Sequence, residues 1–335
     1  MTSDGLEFDC EVFALAFHPK ENLIASGLVS GAVHLHSYLT ADVREVRHNC
    51  YHSKACRAIT FSKDGNCLWS GSTDKSIVVT EMESGSKLQH LKKAHSSAIY
   101  SILMVDHKLL ATGDDSGCVK VWDTRTYETV MEFTENEDFI SELVIDKTGK
   151  TLLAASGDGT LSVLNMRRSR LEARSDNQEV ELLSAALVKN GNKVVCGGGD
   201  GVLSIWSWGE WGDISDRLPG HPSSIDACIS ITDSMVCTGC LDGAIRLVEI
   251  HPNRVCKTLG EHQEPVEQLR LSPDGGMIAS CSHDATVKFW DIKDLSSSAS
   301  GMTNGKKRAK KSSQELKRKR IKHKQCANED FFSDL

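Results

Sequence analysis

The sequence predicts an all-β protein in which seven similar units follow one another along the chain. Three observations support this fold class. Turn residues recur every 42 residues from Asp64 to Asp274. A second series of mostly acidic turn residues ends at Asp284 and keeps the same spacing, apart from one step of 44. An apolar residue stands at a third fixed position in all seven units, beginning with Phe17. Three series in one register indicate an internal repeat.

Each unit has the pattern of short strands. Apolar runs such as residues 58–61 and 77–79 are bounded by turn pairs such as Asp64-Gly65. No segment of residues 1–295 keeps a 3.6-residue apolar period, which argues against helices. Units of about 40–45 residues with four strands are typical of a β-propeller, in which radial packing buries both faces of every sheet. The sequence therefore predicts a seven-bladed propeller over residues 1–295.

The last unit lacks a fourth strand of its own. After Trp290 the chain becomes Ser-rich and then basic, whereas the apolar residues 6–10 precede the first repeat. We expect residues 6–10 to supply the outer strand of the seventh blade and so to close the ring. Residues 296–335 are predicted to be a disordered Ser/Gly linker followed by a basic tail.

The charge of the chain is divided unevenly. Eleven Lys and Arg against four acids give residues 296–335 a net charge of +7, which leaves −14 for residues 1–295 in a chain of net charge −7. No apolar run approaches the roughly 18 residues of a membrane helix, and the first residues lack the features of a secretory signal. The 12 cysteines are scattered, so we expect reduced intracellular thiols.

The repeat resembles the WD40 family. Trp122-Asp123 and Trp290-Asp291 match the dipeptide for which the family is named, and Gly220-His221 matches its Gly-His element. The resemblance implies an interaction platform without catalytic activity, cofactor or metal. It also implies a buried network of His, Ser or Thr, Asp and Trp. That network looks complete only in the last unit, because Ser116 replaces the acid in the third. The four residues of the last unit are His262, Ser280, Asp284 and Trp290.

Other patterns that can carry chemistry have simpler interpretations here. The glycine clusters at residues 196–201 and 156–159 lie between predicted strands, whereas a phosphate-binding loop must open a helix. Cys237 and Cys240 have the spacing of half a zinc site or of a redox pair, but no second pair matches, so core packing is favoured. Histidines at repeat positions are interpreted as structural. No hydrolase or metalloprotease motif is present.

Trp122, Asp123 and Arg125 form a Trp-Asp-x-Arg box after the third unit. The box resembles an element that, in WD40 proteins, marks substrate receptors of cullin-4 ubiquitin ligases. That element docks the receptor onto the propeller adaptor of the ligase, which is named for damaged-DNA binding. We interpret Arg125 as following the innermost conserved strand, on a rim where its guanidinium can bind carboxylates or carbonyls. The alternative is an arginine that follows the dipeptide by chance.

Two basic clusters in the tail have roughly the spacing of a bipartite nuclear-import signal. Their principal residues are Lys306, Lys307, Arg308, Lys310, Lys311, Lys317, Arg318, Lys319 and Arg320. We expect targeting to the nucleus and nucleolus, with some cytoplasmic protein. The same charge attracts RNA weakly and without sequence preference, and a merely solvating tail is the simplest alternative. Phe331 and Phe332 among acids suggest a short docking motif or a loose end.

The loops that enter the first strand of each blade are predicted to line one mouth of the propeller. Their charged residues are Lys54, Arg57, Glu137, Asp138, Glu142, Glu179, Glu181, Asp226, Glu264 and Glu267. An acidic mouth favours a basic client peptide. The alternatives are ordinary solvated loops, or a mouth that receives the basic tail of the same chain until a partner displaces it.

Further segments resemble a nuclear branch of the WD40 family that is associated with the nucleolus. They are residues 52–58, 111–115 and 252–255, together with the basic tail. This resemblance implies a link to ribosomal RNA production and cell-cycle progression, and in plants to a cullin-4 ligase.

Two hypotheses for the function follow from these observations. The first is a cullin-4 substrate receptor that docks through Arg125. The second is a nucleolar scaffold in ribosome assembly, whose tail contacts RNA or proteins. Neither identifies the client.

Overall fold

A computed structural model of the protein describes residues 3–38 and 44–293. Within these ranges 28 strands form seven antiparallel sheets of four strands each. The first sheet contains β2 (Val12–Phe17), β3 (Leu23–Leu28), β4 (Ala32–Ser37) and β5 (Arg44–Cys50). The second contains β6 (Cys56–Phe61), β7 (Cys67–Ser72), β8 (Ile77–Glu81) and β9 (Lys87–Leu91). The third contains β10 (Ile99–Met104), β11 (Leu109–Asp114), β12 (Val119–Asp123) and β13 (Glu128–Phe133).

The remaining sheets repeat this order. The fourth contains β14 (Ile140–Ile145), β15 (Thr151–Ser156), β16 (Leu161–Asn165) and β17 (Arg170–Arg174). The fifth contains β18 (Leu182–Val188), β19 (Lys193–Gly198), β20 (Leu203–Ser207) and β21 (Asp216–Leu218), with a 3₁₀ turn at Lys189–Gly191. The sixth contains β22 (Ile225–Thr232), β23 (Met235–Cys240), β24 (Ala244–Glu249) and β25 (Arg254–Glu261). The seventh contains β26 (Val266–Leu271), β27 (Met277–Ser282), β28 (Thr286–Asp291) and β1 (Ser3–Glu7).

The seven sheets are the blades of a propeller. The first strand of each sheet contacts the first strand of the next, and the cycle closes where β26 contacts β2. These first strands therefore surround the axis. In every second strand all residues after the first are buried, because neighbouring blades cover both faces of the sheet. The predicted fold class, a seven-bladed propeller, is confirmed.

Glycine in the second strand lets adjacent blades approach closely. A Cβ added at Gly113 in β11 would lie 2.5 Å from the Cβ of Ile140 in the next blade.

Cys237 and Cys240 lie in the corresponding strand β23 and are fully buried. Burial raises the pKa of the Cys240 thiol to about 12, so this thiol stays protonated and packs as a small apolar group.

The N-terminal segment pairs with the last repeat strand. β1 runs antiparallel to β28, with Leu6 opposite Val287, and Leu6 is buried. The expected strand at residues 6–10 is displaced, because the pairing begins at Ser3 and ends at Glu7. After Glu7 the Phe8 side chain turns toward the first blade, where it contacts His34 and His36.

The predicted linker and tail, residues 296–335, lie outside the described residues, as do all nine basic residues assigned to nuclear targeting. The propeller, which ends at Asp291, forms one compact unit. None of the helical structure in the described residues is long and apolar enough to span a membrane.

Candidate protein-interaction sites

A cavity of about 430 Å³ opens on the axis where the first strands begin. Five of the ten charged loop residues predicted to line the mouth do so: Arg57, Glu142, Glu181, Asp226 and Glu267. Lys54 is exposed and lies outside the lining, and so do the loop acids Glu137, Asp138, Glu179 and Glu264. The structure therefore brings together the charges next to the axis and separates those farther out in the loops.

The cavity is built by one β-bulge in each blade. Every first strand shifts register against its neighbour after its first residue, and the extra residue lines the cavity. A bulge commonly redirects a side chain out of the regular pleat. The seven bulge residues are Phe13, Arg57, Tyr100, Ser141, Leu183, Asp226 and Glu267. We call them the bulge ring.

The aromatic members of the bulge ring escaped the sequence analysis, which considered only charges. The Arg57 guanidinium lies 4.6 Å from the ring centroid of Phe13 and 4.3 Å from that of Tyr100. It also donates a hydrogen bond to Glu267 at 2.7 Å. Each member of the bulge ring is the second residue of the first strand in its blade. This position, read from the predicted start of each first strand, was the signal that could have identified the aromatic members.

Burial and pairing set the charge of the acids. Burial raises the pKa of Asp226 to about 6, although a hydrogen bond from Ser224 opposes the shift. Burial also raises the pKa of Glu142, which lies 3.8 Å from Arg270. At Glu267 burial acts in the same direction, but its contacts with His283 and Arg57 outweigh it and lower the pKa. The lining holds four acids against Arg57 and Arg270, so the mouth has an excess of negative charge.

Arg125 lies on the turn after β12, which is the third strand of its blade and not the innermost. Its guanidinium donates to both carboxylate oxygens of Asp123, from Nε at 3.0 Å and from Nη2 at 2.5 Å. The side chain remains 63% exposed. This pairing holds the pKa of Asp123 well below its usual range. The two residues therefore form a charge-paired unit in which Arg125 is exposed and Asp123 is mostly covered.

Trp122 has a different place from its neighbours in the box. It is buried, and its Nε1 donates to Thr112 Oγ1 at 2.8 Å. A side chain in this position cannot contact a partner directly. The surface part of the Trp-Asp-x-Arg box is thus Asp123 and Arg125 alone.

The mouth and Arg125 lie at opposite ends of the propeller. β12 runs parallel to the first strand β10, because each is antiparallel to β11 between them. Tyr100 lies at the start of β10, whereas Arg125 follows the end of β12. One partner at the mouth therefore leaves the Arg125 end free for another.

The buried network of the seventh blade is present with all four residues. His262 Nε2 lies 2.7 Å from Ser280 Oγ, and His262 Nδ1 lies 2.9 Å from Asp284. Trp290 Nε1 donates to Ser280 at 2.8 Å. Hydrogen bonds to Asp284 outweigh its burial and lower its pKa to about 2.

The third blade has a complete network as well, so the expectation of one complete network was wrong. His95 Nε2 lies 2.7 Å from Thr112 and His95 Nδ1 lies 2.9 Å from Asp114. Asp114 is two residues before Ser116, at the end of β11, and its side chain reaches the same place. Ser116 instead donates to Asp114 at 2.8 Å. Counting along the repeat finds the expected position of the acid, Ser116. It misses an acid whose side chain reaches the same place from two residues earlier.

Seven four-stranded blades, the Trp-Asp dipeptides and the buried His networks define a WD40 propeller, a class of protein-interaction scaffold that is typically non-enzymatic. Comparison with known proteins gives the particular family. A family model described as WDR55 matches residues 3–295, and the chain belongs to this family.

Several curated relatives are named WD repeat-containing protein 55. The protein of Rattus norvegicus is 41% identical over 297 residues, which cover 88% of this chain and 77% of the relative. That of Arabidopsis thaliana is 40% identical over 293 residues, or 87% of this chain and 83% of the relative. That of Bos taurus is 38% identical over 337 residues, or 100% of this chain and 87% of the relative.

Proposed function

We propose that this protein is a substrate receptor of a cullin-4 RING ubiquitin ligase, which binds a basic client at the mouth and docks on the ligase adaptor through Arg125. One observation carries the proposal. Arg125, which is exposed and paired with Asp123, lies at the end of the propeller opposite the acidic mouth, so both surfaces can be occupied at once. A receptor needs such a division between adaptor and client.

The guanidinium of Arg125 is suited to docking although it is paired. A bidentate pair with Asp123 holds the planar group in one orientation, and part of its donor capacity remains for a partner. The charge of Arg125 is partly balanced within the protein, so its contribution to docking is geometric as well as electrostatic. We expect the adaptor to present carboxylates or carbonyls to this face.

The direct test measures binding of the purified cullin-4 propeller adaptor to the full chain and to Arg125→Ala at physiological salt. Arg167 offers a matched control, because it stands 42 residues later on the corresponding turn of the fourth blade, two residues after Asn165. We expect wild type and Arg167→Ala to bind the adaptor, and Arg125→Ala to bind at least about tenfold more weakly.

Both substitutions affect exposed residues, so folding should be nearly unchanged. Equal binding by all three proteins, or binding by none, would refute the docking role of Arg125. Circular dichroism of each variant separates a loss of docking from a loss of fold.

A nucleolar scaffold in ribosomal RNA production or ribosome assembly is the second candidate. The charge of +7 on residues 296–335 supports it, since dense Lys and Arg bind nucleic acid with strong salt dependence. This function requires nuclear and nucleolar location of the chain. Retention in the nucleolus should then be sensitive to salt and to RNase, and a chain ending at residue 303 should lose it. A ligase receptor that acts only through Arg125 would be indifferent to RNase.

A further inference from the structure

The first blade carries a group of metal-binding side chains at its outer strands. His34 and His36 are two residues apart on β4, so both side chains lie on the same face of the sheet. Across the ladder His34 is opposite His48 and His36 is opposite Glu45 on β5. The pairing shifts register between Leu35 and His36, which brings Glu45 toward both histidines.

Three of these side chains bring donor atoms close together. One donor atom each of His34, His36 and Glu45 lies within 4.8 Å of the other two. His34 Nδ1 and Glu45 Oε1 are 3.5 Å apart. Two ligands of a tetrahedral zinc ion stand about 3.3 Å apart when each bond is about 2.0–2.1 Å long. Binding of a common ion would draw the three donor atoms closer together through side-chain rotations.

His36 stands where other blades keep the Trp of the buried network. Trp122 and Trp290 donate their indole N–H to a network hydroxyl, whereas His36 is only 8% exposed and its Nδ1 has no hydrogen-bond partner. Ser26 Oγ, the network hydroxyl of this blade, is also buried without a partner. A buried polar atom without a partner costs folding free energy and calls for an explanation such as a bound ion.

The first blade has also lost the histidine that would satisfy Ser26. Phe8 stands 44 residues before His52, which bonds Ser70 in the second blade. The Phe8 ring packs edge-on against His34 at 5.5 Å and against His36 at 5.4 Å. The apolar ring covers the two imidazoles on one side, as the walls of a metal site do.

The donor atoms of this cluster are of two kinds, imidazole nitrogen from His34 and His36 and carboxylate oxygen from Glu45. Two imidazoles and a carboxylate form a donor set that suits zinc.

A second close group, made of His95, Asp114 and Cys118, shows what a satisfied cluster looks like. Both ring nitrogens of His95 have partners inside the protein, namely Thr112 and Asp114. Nothing in that group is left for a metal to satisfy. Of the two close donor groups in the described residues, only the first-blade cluster contains a buried nitrogen without a partner.

We propose that His34, His36 and Glu45 bind one zinc ion, with water at the fourth position. The ion would join β4 to the outer strand β5, because two ligands come from one and one from the other. Binding through Nδ1 would give the buried nitrogen of His36 the partner that it lacks in the first blade. Zinc would thus replace, in this blade, the hydrogen-bonded network that holds the third and seventh blades.

The test uses the full chain after treatment with a chelator. Titration with Zn²⁺ in a calorimeter gives the stoichiometry and Kd, and Co²⁺ as a probe reports tetrahedral coordination by its visible absorption. We expect one ion per chain. His34→Gln and Glu45→Gln should each weaken binding by at least about 100-fold, since loss of a direct ligand exceeds the tenfold to 100-fold effect of losing its supporting residues.

His107→Ala is the matched control, because His107 is exposed on a turn of the third blade, and it should bind Zn²⁺ like wild type. Glu45 is exposed as well, so Glu45→Gln should fold whether or not the metal is bound. Two results would overturn the proposal: no saturable site in the wild type, or unchanged affinity in both His34→Gln and Glu45→Gln. The second result would place bound zinc on other histidines or cysteines of the chain.

Discussion

Asp226 is one residue that couples the stability of the propeller to the proposed client surface. It belongs to the bulge ring, where burial raises its pKa from 3.8 to about 6. The native protein therefore holds a proton on Asp226 at pH values where the unfolded chain has released it. Since the native state binds more protons, the free energy of unfolding falls as pH rises from about 4 to about 6, and the loss persists above that range.

Asp226→Asn should consequently stabilise the protein at pH 7 by roughly 1–3 kcal/mol, because the amide does not ionise. Urea unfolding at pH 5 and pH 7 measures this effect, and wild type should lose more stability between the two values than the variant. Equal pH dependence in the two proteins would contradict the assigned cause.

The same substitution should weaken binding of a basic peptide. A peptide with the sequence of residues 306–324 is a suitable probe, and we expect about threefold to tenfold lower affinity at fixed ionic strength. Asp213→Asn is the control, because Asp213 is exposed and does not line the mouth. Equal weakening by both variants would indicate a general charge effect in place of a defined mouth.

At the scale of elements, the repeat spacing predicted the blades because each turn and apolar position recurs in one register. The spacing could not show where a side chain lies in three dimensions. Asp114 completes the third network from a place two residues before the expected one. Glu45 reaches His34 and His36 only because the ladder between β4 and β5 shifts register. A bulge adds one residue to one strand, and the spacing of the turn and apolar positions does not show where that residue lies.

The bulge ring illustrates the same limit. Charge alone selected Arg57, Asp226 and Glu267 from the sequence, whereas Phe13 and Tyr100 join them only through the geometry of the first strands. The arginine between two aromatic rings makes the mouth partly apolar as well as acidic. A client with a basic side chain on an apolar stem fits this surface better than one with charge alone.

For the molecule as a whole, closure of the ring joins the N-terminus to the last blade and thereby fixes the mouth. The first strands form an unbroken cycle, but the seventh sheet has only three strands from its own repeat. β1 completes it, and Leu6 packs with Val287 and Phe289 in the core that the seventh and first blades share. Because Phe13 lies a few residues beyond β1, the same segment positions one member of the bulge ring.

Leu6→Ala should therefore destabilise the whole propeller. Loss of a buried leucine side chain costs about 2–5 kcal/mol in a protein core, and the lower part of that range is expected in an outer strand. Leu88 is the matched control, since it also lies in an outer strand but is 45% exposed. Thermal unfolding followed by circular dichroism should show a lower midpoint for Leu6→Ala and little change for Leu88→Ala. If the ring were held without β1, the two variants would unfold alike. A lower midpoint for Leu6→Ala alone would show that stability of the axial mouth depends on the strand that closes the ring.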